Sequence, residues 1–150
     1  MFARWISGYF DHGDLSTRNP NILEWVLTST SRPGTIYRMS KAEQDEILQF
    51  NGASVDIPCM QGLSAQLNAA YRKVLFTPEA MDLFSNMTVT YLTGEKGPAA
   101  QISQSWIIQD ELPKQGVKTG VKMAPGINHF VHWDDPERAI DIFLECAQPK

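Results

Sequence analysis

The segment at residues 125–135 concentrates the side chains of this sequence that could carry out chemistry. It contains His129, His132, Trp133, Asp134 and Asp135 in one short stretch. Histidine has an ordinary pKa of about 6.5, so it can accept and release protons near neutral pH. In open α/β sheets, catalytic groups lie in loops that leave the carboxyl ends of strands, which is where this segment is predicted to lie. We therefore predict that this loop is suited to acid–base chemistry and that His129 is accessible in it.

The same segment leaves a metal site open as an alternative hypothesis. The side chains that could contribute ligands are His129, His132, Asp134 and Asp135, with His12 and Asp14 near the start of the sequence as further candidates. Two aspartates directly before Pro136 are also typical of a helix N-cap, where a carboxylate is favoured by the helix dipole. We expect His132 and His12 to be surface or structural residues, and the favoured prediction includes no metal and no cofactor.

Two strands and a helix are predicted to position this segment. Residues 87–92 and 117–124 have the composition of strands, and residues 101–112 have the periodicity of a helix. A strand–helix–strand order implies two parallel strands joined by a crossover. Pro136 is predicted to open a last helix. Its predicted buried face consists of Ala139, Ile140, Phe143 and Leu144.

The N-terminal half is predicted to be helical or irregular. Ser40 and Glu43 have the spacing of a capping box that starts a helix running to about residue 50. A second helix is predicted at residues 64–76, and Thr77-Pro78 starts a third. Residues 22–27 are too uniformly apolar to choose between helix and strand. Because two strands leave long unpaired edges, we expect further strands from this half, or a partner chain or second copy that covers the sheet.

Composition excludes several classes of protein. The 150 residues are 43% hydrophobic and 20% charged, as in a globular chain with one core. A net charge of −4 argues against nucleic-acid binding. The sequence has no apolar run of about 18 residues and no signal peptide, so we expect a cytoplasmic protein without membrane contact. Cys59 and Cys146 are expected to be reduced, partly buried thiols.

Residues 124–137 (APGINHFVHWDDPE) resemble the catalytic-histidine region of the α/β-hydrolase superfamily. In that family a strand ends in a Pro-Gly-x-x-His-aromatic turn, and a helix beginning with Pro-Glu follows. Residues 87–98 (MTVTYLTGEKGP) resemble the family's penultimate strand and its turn. The resemblance implies a helical cap-like region at residues 1–76 and a core segment at residues 77–150. It also implies that His129 acts as general base toward a nucleophile and then as general acid toward the leaving group.

The sequence departs from the family pattern at the acid and at the nucleophile. Gly97 stands where the family commonly has an aspartate, which leaves Glu95 and Asp110 as candidate acids. No complete G-x-S-x-G occurs. The nearest segment, residues 62–66 (GLSAQ), contains Ser64, a candidate nucleophile that is more simply explained as a helix N-cap.

The resemblance therefore implies an α/β fold that is the C-terminal part of an α/β-hydrolase sheet. Such a truncated chain carries the histidine but lacks the nucleophile elbow, so we expect it to be inactive by itself. It would hydrolyse a small-molecule ester, amide or epoxide only when another segment supplies the nucleophile. The alternative hypothesis is a non-catalytic, hydrolase-derived domain that binds a partner or an apolar ligand. The aromatic residues expected to line that interface are Phe2, Trp5, Tyr9, Phe10, Trp25 and Tyr37.

Overall fold

The computed structural model describes residues 2–48, 58–59, 61–83, 89–111, 114 and 119–148, which form a mixed α/β structure. The helices are α1 (Phe2–Ile6), α2 (Lys41–Ile47), α3 (Ser64–Phe76), α4 (Pro78–Leu83), α5 (Ala99–Glu111), α6 (Val131–Asp134) and α7 (Pro136–Ala147). The strands are β1 (Val89–Gly94) and β2 (Thr119–Ala124). Short 3-10 helices lie at Leu15–Thr17, Pro20–Ile22 and Thr35–Arg38.

The two strands pair in parallel, and α5 lies between them in the chain. Val89 is opposite Thr119 and Gly94 is opposite Ala124. This confirms the predicted strand–helix–strand unit, and β1 continues past the predicted end to Gly94, whereas residues 87–88 and 117–118 lie outside the described ranges. Within the described ranges the sheet consists of these two strands, so the N-terminal half adds none there. Coverage of the sheet edges by a partner chain stays a prediction.

Helix α5 covers one face of the sheet. Ile102 and Trp106 of α5 pack with Leu23, and Met123 of β2 contacts the same apolar cluster. The sequence left open whether Ile107 or Ile108 belongs to the buried side of this helix. Ile108 is buried whereas Ile107 is exposed. The predicted Leu112 lies outside the described residues.

Helix α7 covers the opposite face, but with a different set of residues from the predicted one. Ala139 and Ile142 pack against Ala124, and Cys146 joins them. The prediction of burial is wrong for three of the four residues, because Ile140, Phe143 and Leu144 are 49–60% exposed. Residues 139, 142 and 146 form one stripe on the helix, and residues 140, 143 and 144 form the next, about 100° away. The sequence pattern offers both stripes, and only the contact with the sheet selects one.

The local signals in the N-terminal half are largely confirmed. Helix α2 has a complete capping box, in which Glu43 N donates to Ser40 Oγ (3.3 Å) and Ser40 N donates to Glu43 Oε2 (2.7 Å). It ends at Ile47 rather than near residue 50, and residues 49–50 lie outside the described ranges. Pro78 is the first residue of α4, as predicted.

Residues 22–27 are not a strand, because a 3-10 helix ends at Ile22 and irregular chain follows. Cys146 is partly buried as expected, but Cys59 is exposed.

Residues 7–10 and 34–39 pack directly onto the C-terminal half. Phe10 is fully buried, and its backbone N–H donates to the carbonyl of Lys96 (3.0 Å). Thr35 N–H donates to the carbonyl of Ser7 (2.9 Å), which holds the two N-terminal segments together. The division of the chain at residue 76 stays a prediction, and these contacts cross it.

In the described part of the chain, every helix is too short or too polar to pass through a lipid bilayer.

Candidate functional site

The loop at residues 125–130, which we call the histidine loop, connects β2 to α6 and carries His129. Gly126 has a φ of +66°, in the left-handed region that glycine adopts without a steric penalty. The side-chain oxygen of Asn128 accepts a hydrogen bond from Phe130 N (2.8 Å), an Asx turn that shapes the chain around His129. Because both strands run parallel, the loop lies at the carboxyl ends of β1 and β2 together.

The turn at residues 94–98, which we call the β1 turn, is hydrogen-bonded to the histidine loop. Glu95 N donates to the carbonyl of Ala124 (2.9 Å) and Lys96 N donates to that of Ile127 (2.9 Å). The two backbones approach so closely that a Cβ added at Gly94 would lie 2.4 Å from the Ile127 oxygen. Gly94 therefore permits the close contact between the β1 turn and the histidine loop.

His129 is exposed, and a side chain from α5 holds its ring. The amide nitrogen of Gln101 lies 2.9 Å from Nδ1 of His129, and Phe130 packs against the ring with centroids 5.4 Å apart. Partial burial lowers the pKa of His129, and the nearby charge of His132 lowers it further. A lowered pKa keeps the imidazole neutral at pH 7, which is the form that can accept a proton.

The structure does not bring either candidate acid into hydrogen-bond contact with His129. Glu95 Oε2 accepts a hydrogen bond from Gly126 N (2.8 Å), so this carboxylate braces the histidine loop. Asp110 forms an exposed ion pair with Arg18 (2.8 Å). Neither carboxylate is therefore placed to orient the imidazole.

Ser64, the candidate nucleophile, is the first residue of α3 and is exposed. Leu63 occupies the N-cap position, and no side-chain hydrogen bond caps the helix. The simpler explanation of Ser64 as the N-cap residue is therefore wrong. Among the described residues, Gln101 is the side chain that forms a hydrogen bond with His129, and no hydroxyl or thiol does so.

Asp134 lies on the buried side of α6, where its side chain is 3% exposed. The hydroxyl groups of Tyr9 and Thr35 both donate to Oδ2, the latter at 2.9 Å. Oδ1 receives no well-aligned hydrogen bond, but the guanidinium of Arg38 lies 3.3 Å away and supplies a positive charge. Asp134 therefore ties the N-terminal segments to the helix that follows the histidine loop.

Asn128 extends this buried polar network to the residue beside His129. Its side-chain nitrogen donates to the carbonyl of Ser7 (2.9 Å) and to Thr35 Oγ1 (2.9 Å). The residue is almost completely buried, so these bonds replace the water that the amide loses on folding. We refer to Asp134, Tyr9, Thr35, Arg38 and Asn128 as the Asp134 network.

Burial raises the pKa of Tyr9 to about 12, and the hydrogen bond to Asp134 and its negative charge act in the same direction. The phenol is therefore protonated at neutral pH and donates to Asp134. Because the folded-state pKa lies above the ordinary value of 10, this contribution to stability is complete below about pH 10. It is lost as the pH rises toward about 12.

The arrangement of the histidines and aspartates does not support the metal alternative. No group of three or more His, Cys, Asp or Glu side chains could hold a metal within the described ranges. Asp135 caps α7 by accepting from Arg138 N (3.1 Å), and Asp14 caps the 3-10 helix at Leu15–Thr17. Both ring nitrogens of His12 are within hydrogen-bond distance of backbone groups, those of Gly97 and Glu24 (2.9 Å each). Asp135, Asp14 and His12 therefore bind backbone groups of the fold.

Sequence reasoning did not single out Gln101, Asn128 or Thr35. The sequence does contain a local signal at Asn128, because an asparagine side chain commonly accepts a hydrogen bond from the backbone N–H two residues later, in an Asx turn. Gln101 had none, because its contact with His129 joins residues 28 positions apart. Tyr9 was predicted only as an aromatic residue of a pocket or interface, and its buried contact with Asp134 spans 125 positions.

Comparison with models of known families, with curated proteins and with solved structures finds no match for this chain.

Proposed function

We propose that this chain is an α/β-hydrolase-like protein that supplies His129 as the general base of an ester, amide or epoxide hydrolysis. One observation carries the proposal: an exposed imidazole of lowered pKa lies past the carboxyl ends of two parallel strands and is held by a side chain. The parallel strand–helix–strand unit is compatible with that family, and the resemblance of residues 124–137 supports it.

The proposed step for an ester or amide uses the Nε2 atom of His129. Nε2 accepts the proton of a hydroxyl group while the hydroxyl oxygen attacks the carbonyl carbon of the substrate. The imidazolium then gives the proton to the leaving oxygen or nitrogen as the carbonyl bond to that group breaks. No hydroxyl group of the described residues forms a hydrogen bond with His129, so we assign the nucleophile to another polypeptide segment. By itself the chain is then expected to be inactive toward esters.

The test supplies a small alcohol in place of the missing nucleophile. We expect release of p-nitrophenolate from p-nitrophenyl acetate to increase when methanol is added to the protein, because His129 can deprotonate the alcohol. The increase is expected to fall about tenfold or more in His129→Ala. It should rise with pH through a midpoint below about 6.5, because the pKa of His129 is lowered and only the neutral ring accepts a proton.

His132→Ala is the matched control, since it removes the neighbouring exposed imidazole and leaves the Gln101–His129 contact in place. We expect this variant to keep the methanol-dependent rate at about pH 8, where the ring of His129 is neutral in both proteins. Equal rates for the native protein and His129→Ala, or no increase with methanol at any pH, would contradict the proposed function.

A second candidate function, a non-catalytic binding domain, is favoured by the distribution of exposed apolar side chains. Of the aromatic residues expected at an interface, Tyr9 and Phe10 are buried in the core. Within residues 2–37, the large exposed apolar residues are Phe2, Trp25, Val26, Leu27 and Tyr37. Trp25, Val26 and Leu27 are consecutive, and adjacent exposed apolar side chains are typical of interaction surfaces.

Light scattering after size-exclusion chromatography tests this second candidate. We expect a self-associated species whose apparent mass decreases when Trp25 and Leu27 are both replaced by serine. Leu83→Ser is the control, because Leu83 is an exposed leucine of α4, far along the chain from this surface. A native protein that is monomeric at every concentration would argue against the binding candidate.

A further inference from the structure

Gln101 occupies the place beside His129 where a catalytic acid is otherwise expected. It is the third residue of α5, directly after the β1 turn, and its amide nitrogen lies 2.9 Å from Nδ1 of His129. In a triad the carboxylate accepts a hydrogen bond from Nδ1–H of the histidine, which leaves Nε2 free to act as the base. The amide of Gln101 contacts the same ring nitrogen.

Gly97 leaves the space that the Gln101 side chain uses. A Cβ added at residue 97 would lie 3.3 Å from the amide oxygen of Gln101 and 3.1 Å from the carbonyl oxygen of Gly94. A side chain at residue 97 would therefore crowd the amide that contacts His129. The lack of an acidic side chain at residue 97 therefore also leaves room for the Gln101 amide beside His129.

The orientation of the amide determines which tautomer of His129 is stable. An amide nitrogen can only donate, so Nδ1 of a neutral His129 must accept, and the ring proton must lie on Nε2. A ring that carries its proton on Nε2 can donate from that edge, and Nε2 acts as a base only in the minor tautomer, which carries the ring proton on Nδ1. In serine-protease triads, an amide in place of the carboxylate likewise favours the wrong tautomer and lowers kcat on the order of 10⁴-fold.

We infer that Gln101 is the positioning residue of His129, holding the ring in its Nε2–H tautomer and thereby keeping its activity as a base low. The inference rests on the proposed function only where it concerns the rate; the tautomer is a property of the folded protein itself. It also gives a reason for the expected low activity of the chain that is separate from the lack of a hydroxyl group beside His129 in the described residues.

The variant Gln101→Glu tests the inference, since a carboxylate can only accept from the ring while it is ionised. We expect nitrogen NMR to show the neutral His129 ring changing from the Nε2–H to the Nδ1–H tautomer. We also expect the pKa of His129 to rise by about one unit or more. Helix α5 has no acidic residue in its first turn, so a glutamate there is favoured by the helix dipole and should not disturb folding.

Gln104→Glu is the matched control on the same helix. Gln104 contacts the hydroxyl of Tyr91 (3.1 Å), so this variant adds the same charge without changing the partner of His129. We expect its His129 to keep the Nε2–H tautomer. An unchanged tautomer in Gln101→Glu, or the same change in Gln104→Glu, would overturn the inference.

The rate measurement separates the inference from the proposed function. If both hold, Gln101→Glu increases the methanol-dependent ester cleavage at least several-fold over the native protein. If the tautomer changes and no variant cleaves the ester, the role of Gln101 stands and the proposed function fails. If cleavage depends on His129 and the tautomer does not change, the role of Gln101 fails and the proposed function stands.

Discussion

Replacing Asp134 by alanine is expected to lower the free energy of unfolding by about 3 kcal/mol, a large fraction of the total for a protein of this size. The variant leaves the hydroxyl groups of Tyr9 and Thr35 without their shared acceptor. It also removes the charge partner of Arg38, whose half-exposed side chain can turn to water and so contributes less. Urea denaturation followed by tryptophan fluorescence measures the change.

Asp135→Ala is the matched control for Asp134→Ala, because it removes the same side chain one residue later. Asp135 is exposed and caps α7, so its loss is expected to cost about 1 kcal/mol. A double-mutant cycle adds a second readout: Tyr9→Phe should cost less in the Asp134→Ala background than in the native protein. Equal costs for the two aspartates, together with additive effects of Tyr9→Phe and Asp134→Ala, would show that the Asp134 network does not hold the segments together.

Replacing Gly94 by alanine is expected to destabilise the fold by about 3 kcal/mol, at the upper end of overpacking costs. The added Cβ would lie 2.4 Å from the carbonyl oxygen of Ile127 and 2.9 Å from that of Asn128. Both atoms belong to the backbone, so the histidine loop itself must move. That movement lengthens the hydrogen bonds from Glu95 N and Lys96 N to this loop. We therefore also expect a shift in the NMR signals of His129.

Gly62→Ala is the matched control for Gly94→Ala. No atom lies within 4 Å of a Cβ added at Gly62, so we expect a change within about 0.5 kcal/mol. A loss of stability at Gly94 no larger than at Gly62, with the His129 signals unchanged, would contradict the close approach of the β1 turn to the histidine loop.

The regular elements around the site were predictable because their signals are local. A capping box, a proline at the first position of a helix and a β-rich hexapeptide each act within a few residues. The structure confirms α2, α4, α7 and the two parallel strands on that basis. The exposed stripe of α7 could not be predicted, because Ile140 and Phe143 are as apolar as the residues that face the sheet.

The sequence also located His129 but not its partners. The order of β2, loop and Pro136 is enough to place the histidine at the end of a strand. The group that contacts Nδ1 comes from a helix that precedes β2, and neither Glu95 nor Asp110 takes that place. Such a contact depends on how the strands and α5 pack, and no pattern of neighbouring residues encodes it.

By itself, the sequence determined the parallel strand–helix–strand unit and the position of His129 after the second strand. Both follow from hydrophobic periodicity and turn residues, which act over one element at a time. The tertiary structure alone decided that an amide rather than a carboxylate holds His129, and that a buried aspartate joins the ends of the described chain through Tyr9. Those hydrogen bonds join residues 28 and 125 positions apart, so only the packing of separate segments brings the groups together, and around Asp134 it also excludes water.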